Sequence, residues 1–205
     1  MSSVVAIVNT SPATVLDDYA RVMRLAGYQQ ALAPDRDTIL KLNLSWTLFY
    51  PACSSPPWQL DGVLRTMLAD GYRKESLFPV ENKTVVTDPW KGAANNGWLS
   101  VLKREGIPFT DLPGVEWTRY PFTSDFLVLN KIFPEGIEIP KMFVGRNVLH
   151  MPTVKTHGHS TTTGAIKNSF GGLLRKCGTI ATSLSTRRWW TFCSCSGRST
   201  QASSP

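Results

Sequence analysis

Residues 38–81, TILKLNLSWTLFYPACSSPPWQLDGVLRTMLADGYRKESLFPVE, contain a complete strand–helix–strand unit. Residues 38–44 and 77–81 are short apolar runs of the kind that form buried strands. Between them, the Ser-Pro-Pro sequence at 55–57 predicts the start of a helix and Gly71 predicts its end, because proline is favoured in the first turn and glycine directly after the last. Two strands joined by a helical crossover pair in parallel. The unit therefore predicts an α/β sheet.

The same alternation continues on both sides of this unit. An apolar run at residues 4–8 predicts a first strand, and residues 16–26 repeat apolar side chains at helical spacing behind a capping Ser11 and a first-turn Pro12. Further predicted segments are a third helix at 98–106, extended pieces at 115–120, 126–129 and 137–139, a strand at 147–150 and a helix from about Thr163. The predicted fold class is α/β, with a mostly parallel sheet, right-handed crossovers and flanking helices.

Charge is distributed unevenly along the chain. Residues 1–138 hold all 15 acidic residues and 13 Lys/Arg, whereas residues 139–205 hold nine Lys/Arg and no acid, which gives the net charge of +7. Basic residues interleaved with aromatics, as in nucleic-acid-binding proteins, form only a weak pattern here. This distribution favours a local basic site for a small anion over a nucleic-acid interface.

The chain has the composition of a globular protein, with 42% hydrophobic residues. No apolar run approaches the roughly 18 residues that a membrane span needs. The N-terminus lacks the basic and long apolar regions of a signal peptide. We therefore expect a cytoplasmic protein without a membrane segment.

Polar side chains follow several of the predicted strands. Ligands of open α/β sheets bind beyond the carboxyl ends of the strands. Lys41 and Asn43 end one strand and share a face, because side chains two apart point the same way. Glu81 ends the next strand, where it could contact a metal or a cationic group, or form a structural ion pair with Lys41 or Lys83.

The segment HMPTVKTHGHSTTTGAIKNSFGG at residues 150–172 carries the densest set of polar groups. Residues 160–163 can cap the following helix, whose free N–H groups attract anions. Lys155 and Lys167 add positive charge and Asn168 adds a directed amide. His157 is the predicted catalytic acid or base, since an imidazole titrates near neutrality.

Other interpretations of these residues remain open. His157 and His159 could bind a metal, although a lone His-x-His spacing is weak evidence. His150 follows an apolar run and is better explained as a packing residue. Lys41 could extend its stem along the strand end and place its charge in solvent.

The chain resembles the domain of unknown function 362 (DUF362) family over about residues 4–176. The matching elements are Lys41-x-Asn43, the triplet Lys155-Thr156-His157, and the run Lys167-Asn168…Gly171, in the family's order. The resemblance implies an α/β domain of unsettled biochemical role, with Thr156 among the ligand-binding residues. Some members carry an added iron–sulfur domain, but this chain has no cysteine-rich ferredoxin segment. An iron–sulfur cluster is therefore not predicted for this chain, and its cofactor and metal requirement are unknown.

Residues 177–205 differ in character from residues 1–176, which we interpret as one partial α/β domain. They contain 12 Ser/Thr, three cysteines and two adjacent tryptophans, but no Asp, Glu or Lys. If codons 189–202 are read one nucleotide earlier, they can encode VVDLLLLQREIHPG, a helical apolar run with a Pro-Gly stop. We therefore expect a frameshifted, truncated product with a disordered tail, an incomplete sheet and poor solubility.

Three functional hypotheses follow from the sequence. The first is an enzyme or binding protein for a small anion that bears phosphate or carboxylate. The second is a redox or metal-handling accessory protein of the iron–sulfur-associated type. The third is a fragment without function.

The frameshift hypothesis can be tested at the level of the gene. Resequencing around codons 176 and 177 in several isolates should reveal a one-nucleotide change, with the remaining domain encoded out of frame beyond the stop. An intact reading frame through codon 205 in every isolate would contradict the hypothesis.

Overall fold

The computed structural model describes residues 4–84, 86–121, 129–157, 161–173 and 175. The helices and strands in chain order are α1 (Val15–Leu25), α2 (Tyr28–Ala31), β1 (Thr38–Lys41), α3 (Pro57–Ala69), β2 (Leu77–Glu81), α4 (Pro89–Asn95), α5 (Trp98–Glu105), β3 (Thr110–Asp111), β4 (Trp117–Tyr120), α6 (Leu129–Ile132), β5 (Ile137–Pro140), β6 (Asn147–His150), β7 (Lys155–His157), β8 (Thr161–Thr163) and α7 (Ala165–Leu173).

The centre of the fold is a four-stranded parallel sheet in the order β3-β2-β1-β6. All four residues of β1 are buried, because β1 has a neighbouring strand on each side and is covered on both faces. Strands buried on both faces are typically rich in adjacent apolar residues, as Ile39 and Leu40 are here. The predicted α/β class with a mostly parallel sheet is therefore confirmed.

Two hydrophobic clusters cover the two faces of this sheet. The larger one joins Leu40 and Leu77 of the sheet to α1, α3 and α5. The smaller one contains Ile39 and Val80, and the partly buried Trp117 of the β4–β5 hairpin packs against it. Since successive strand residues point to opposite faces, Lys41 lies on the same face as Ile39.

Most predicted elements are present, but several of their bounds differ. Strand β1 ends at Lys41 rather than at residue 44, because the Asn43 N–H bonds to Ser55 Oγ and the Leu44 N–H bonds to Glu81 Oε2, so that both leave the strand ladder. Helix α1 begins at Val15, with Thr14 rather than Ser11 at its N-cap.

Two further predicted segments differ in the structure, and one helix was not predicted. Residues 4–8 do not form a strand: Val5 and Ile7 are 82% and 84% exposed, and no described strand pairs with them. An apolar run forms a strand only where its backbone groups find partners. Leu129, predicted as extended, begins α6, and residues 126–128 lie outside the described residues. Helix α4 was not predicted, although Asp88 caps it by accepting from the Lys91 N–H and Pro89 begins it.

Within the described part of the chain, no helix has both the length and the apolar character that crossing a membrane requires.

Helices α1 and α3 approach each other closely at Gly62. A Cβ atom placed on Gly62 would lie 2.7 Å from Tyr19 Cβ. We expect Gly62→Ala to lower the free energy of unfolding by about 1–3 kcal/mol, because the overpacking outweighs the gain in helix propensity of about 1 kcal/mol.

Urea denaturation checks this expectation. Ala69→Gly at the exposed end of α3 is the control, since it changes helix propensity without a steric contact. A gain of stability in Gly62→Ala would show that the contact with Tyr19 does not limit the packing of the two helices.

Candidate functional site

Polar side chains meet at the carboxyl ends of β1 and β2, and the innermost of them is Lys41. Its Nζ atom lies 2.5 Å from Glu81 Oε1, 2.7 Å from the Leu42 carbonyl oxygen and 3.3 Å from Asn168 Oδ1. Only 1% of Lys41 and 4% of Glu81 is exposed. We call Lys41, Glu81 and Asn168 the inner cluster. All three donors of the Lys41 ammonium have acceptors within the protein.

Glu81 connects several backbone segments as well as binding Lys41. Its Oε2 atom accepts from the Leu44 N–H at 2.7 Å, and its Oε1 atom accepts from the Asn82 N–H at 2.8 Å. Burial raises the pKa of Glu81, while Lys41 and these two N–H groups act in the opposite direction. Of the two structural ion pairs considered for Glu81, the observed one is with Lys41.

The amide of Asn168 holds α7 against β1. Asn168 Nδ2 donates to the Lys41 carbonyl oxygen at 3.2 Å, while its Oδ1 accepts from the Lys41 ammonium. Asn168 is buried, whereas the neighbouring Lys167 is half-buried. Asn168, which the sequence analysis grouped with Lys155 and Lys167, therefore bonds to Lys41 in the inner cluster.

His150 lies opposite Lys41 in the sheet register, on the same face. Its Nε2 atom is 2.8 Å from Ser169 Oγ, and its buried Nδ1 atom has no hydrogen-bond partner among the residues that the structure describes. Burial and the Lys41 charge lower the pKa of His150 to about 4, so the imidazole is neutral at pH 7. His150 thus packs at the strand end, and it also borders the inner cluster.

A second group of polar residues, Asn43 and Lys155, lies nearer the surface, and we call it the outer cluster. Lys155 Nζ donates to Asn43 Oδ1 at 2.8 Å and to the Thr153 carbonyl oxygen at 3.3 Å. Both residues are half-buried. Lys41 and Asn43, predicted to act together, therefore belong to different clusters.

The charge of Lys155 is only partly compensated. Burial lowers the pKa of Lys155, the charge of Lys167 lowers it further, and Cys53 acts in the opposite direction. Among the described residues, no carboxylate forms an ion pair with Lys155. An ammonium group that has no carboxylate partner attracts anions.

The hairpin of β7 and β8 presents the triplet that was noted in the sequence. Lys155 and His157 are half-buried on one face, and Thr156 is exposed on the other. His157 pairs with Thr161 in the register. The hairpin therefore brings Lys155 and His157 to the same side and separates Thr156 from them.

The predicted helix cap at residues 160–163 is wrong for the residues that the structure describes. Residues 161–163 form β8, and the first helical hydrogen bond of α7 runs from the Asn168 N–H to the Gly164 carbonyl oxygen at 3.0 Å. Residues 161–163 form a strand instead because β7 offers their backbone N–H and C=O groups partners.

The predicted metal pair cannot be assessed as a unit, because His159 lies outside the described residues. Within the described ranges, no group of three or more His, Cys, Asp or Glu side chains is placed to hold a metal ion. The metal-handling hypothesis stays a prediction.

Ser55 was not predicted as part of this region. Its Oγ atom accepts from the Asn43 N–H at 2.9 Å and donates to the Met151 carbonyl oxygen at 2.5 Å, which joins the ends of β1 and β6. In the sequence, Ser55 carried only the signal of a helix start. Its proximity to residue 151 depends on the pairing of two strands that are distant in the chain.

The inner cluster generates a prediction about stability. Glu81→Gln leaves the buried Lys41 ammonium without its counter-charge, so the free energy of unfolding should fall by about 3–5 kcal/mol. Glu116→Gln is the matched control, because Glu116 forms an exposed pair with Lys141 and its loss should cost at most about 1 kcal/mol. The free energies of unfolding are measured by urea denaturation. Equal losses in the two variants would contradict the larger stabilising contribution expected of the Lys41–Glu81 pair.

Comparison with known protein families identifies the family of the chain. A family model described as a domain of unknown function (DUF362) matches residues 38–190, which include both clusters. The match ends beyond Lys176, inside the segment predicted to be frameshifted, and that frameshift stays a prediction. No curated protein matches the chain. Because the match covers most of the 205 residues, the chain belongs to the DUF362 family.

Proposed function

We propose that the outer cluster binds a small anion bearing a phosphate or carboxylate group. The observation that carries the proposal is the state of Lys155, a half-buried ammonium that has amide and carbonyl acceptors but no carboxylate partner among the described residues. A bound anion would supply the missing counter-charge. Asn43, whose amide oxygen accepts from the Lys155 ammonium, would orient the bound anion.

The surroundings of Lys155 support this role. Lys167 lies close enough for its charge to lower the pKa of Lys155, so an anion bound at Lys155 would also be attracted by the charge of Lys167. Lys167 would therefore contribute to the same anion site. Amide and ammonium donors suit phosphate and carboxylate oxygens equally, so these two groups remain the proposed ligand classes.

The inner cluster has a different proposed role. Lys41 uses its donors on Glu81, Leu42 and Asn168, so we assign it and Asn168 to positioning β1 and α7 rather than to direct contact with the anion. Glu81 neutralises Lys41 in this arrangement. His157, on the same face of β7 as Lys155, is the proposed proton donor or acceptor beside the anion. Thr156, on the opposite face, would contribute little to binding.

Calorimetric titration with inorganic phosphate tests the proposal. Lys155→Met should weaken phosphate binding at least about tenfold, because it removes a charged hydrogen-bond donor worth about 1.5–3 kcal/mol. Lys141→Met is the matched control: it removes the same charge from an exposed, ion-paired position and should leave the affinity unchanged. Unchanged binding in Lys155→Met would overturn the proposal.

The pH dependence of anion affinity gives an independent test of the role of Lys155. Binding needs the protonated ammonium, so affinity is full at low pH and falls as pH rises through the pKa of Lys155. Because burial lowers that pKa, the fall should begin at a lower pH than for an ordinary lysine. Sulfate is the suitable probe here, since its charge is constant over this range.

A further inference from the structure

The loop that follows β1 exposes four large apolar side chains in five residues. Trp46, Leu48, Phe49 and Tyr50 are 48%, 64%, 56% and 51% exposed. We call residues 44–54 the aromatic loop. Single exposed apolar residues are ordinary in soluble proteins, but a continuous group of them marks a binding surface.

The aromatic loop is closed at its base by hydrogen bonds between its two ends. The Ser55 N–H donates to the Asn43 carbonyl oxygen at 2.9 Å, the Ser45 N–H donates to Ser54 Oγ at 3.2 Å, and Ser45 Oγ donates to the Cys53 carbonyl oxygen at 2.8 Å. Compact loops with joined ends are frequently functional. The loop is therefore a defined structural unit and not an extended linker.

One side of the aromatic loop is fixed to the segment around α4. Thr47 Oγ1 accepts from the Asp88 N–H at 2.8 Å, and the Thr47 carbonyl oxygen accepts from Asn95 Nδ2 at 2.8 Å. These bonds hold the backbone between the exposed rings. The Trp46 and Tyr50 rings lie 6.5 Å apart at an interplanar angle of 72°, an edge-to-face arrangement.

The base of the aromatic loop coincides with the outer cluster. Asn43, which accepts from the Lys155 ammonium, is the residue directly before the loop. Three residues of extended chain span at most roughly 11 Å, so the Trp46 backbone lies within that distance of Asn43. A molecule whose charged group binds Lys155 could therefore place its other end against the Trp46 and Tyr50 rings.

We propose that the anion bound at the outer cluster carries an aromatic ring, and that Trp46 and Tyr50 hold this ring. The inference rests on the proposed anion-binding function and narrows its ligand to an aryl phosphate or aryl carboxylate. The charged group is held by Lys155 and oriented by Asn43. The ring packs on the aromatic loop in offset or edge-to-face contact, which removes apolar surface from water on both sides.

The test compares phenyl phosphate with methyl phosphate, which has the same charge and no ring, by calorimetric titration of the full chain. Phenyl phosphate should bind about tenfold more tightly, as expected for two aromatic contacts. Trp46→Ala and Tyr50→Ala should reduce this preference and leave the affinity for methyl phosphate unchanged. Trp58→Ala is the matched control, since Trp58 is 51% exposed on α3 outside the loop, and it should keep the preference.

The outcomes separate this inference from the function on which it rests. Binding of methyl phosphate with no preference for the phenyl ester overturns the aromatic inference alone, and absence of binding by either ester overturns both. Sedimentation with phosphatidylglycerol vesicles that Trp46→Ala abolishes, in the absence of any ring preference, would also overturn the inference by assigning the loop to a lipid surface.

Discussion

The buried contact between Lys41 and Glu81 organises the carboxyl edge of the sheet. Through Glu81 it joins the end of β2 to the backbone at Leu44, and through Asn168 it joins β1 to α7. Two charges removed from water cost several kcal/mol each, and such a pair persists only where further hydrogen bonds satisfy both groups. Here every donor of Lys41 is used. The pair therefore fixes three elements in one arrangement from which the outer cluster projects.

Lys41 and Lys155 differ in their charged neighbours, and this difference is the reason for assigning a structural role to Lys41 and a binding role to Lys155. Lys41 is the last residue of β1 and Lys155 is the first residue of β7, and both have an asparagine oxygen as acceptor. Lys41 also has Glu81, whereas Lys155 has Lys167 as its charged neighbour. The absence of acidic residues from residues 139–205 is consistent with this difference, because that segment cannot supply a counter-charge to Lys155. Other basic residues of that segment, Lys141, Arg146 and Arg175, pair with acidic residues from residues 1–138.

Local signals in the sequence predicted much of the fold. Residues 77–81 and 147–150 have the strand bounds that periodicity and flanking residues indicated, and Gly106 follows α5 with a positive φ of 68°. The division into two clusters could not be predicted, because it depends on where β1 leaves the sheet. That point is set by Ser55 and Glu81, whose side chains bind the backbone of residues 43 and 44. Contacts between distant segments decided it, and no local pattern encodes them.

The aromatic loop also depends on contacts that no local pattern in the sequence encodes. The strand predicted at residues 38–44 includes Leu44, the first residue of this loop, because the apolar run of β1 continues to it. The backbone bonds to Ser54, Ser55 and Glu81 instead, and these contacts turn the chain away from the sheet. The large apolar side chains of residues 46–50 are exposed in this loop, whereas Leu44 is buried. Early termination of β1 therefore creates both features of the proposed site: an asparagine free to orient a lysine, and rings free to contact what that lysine binds.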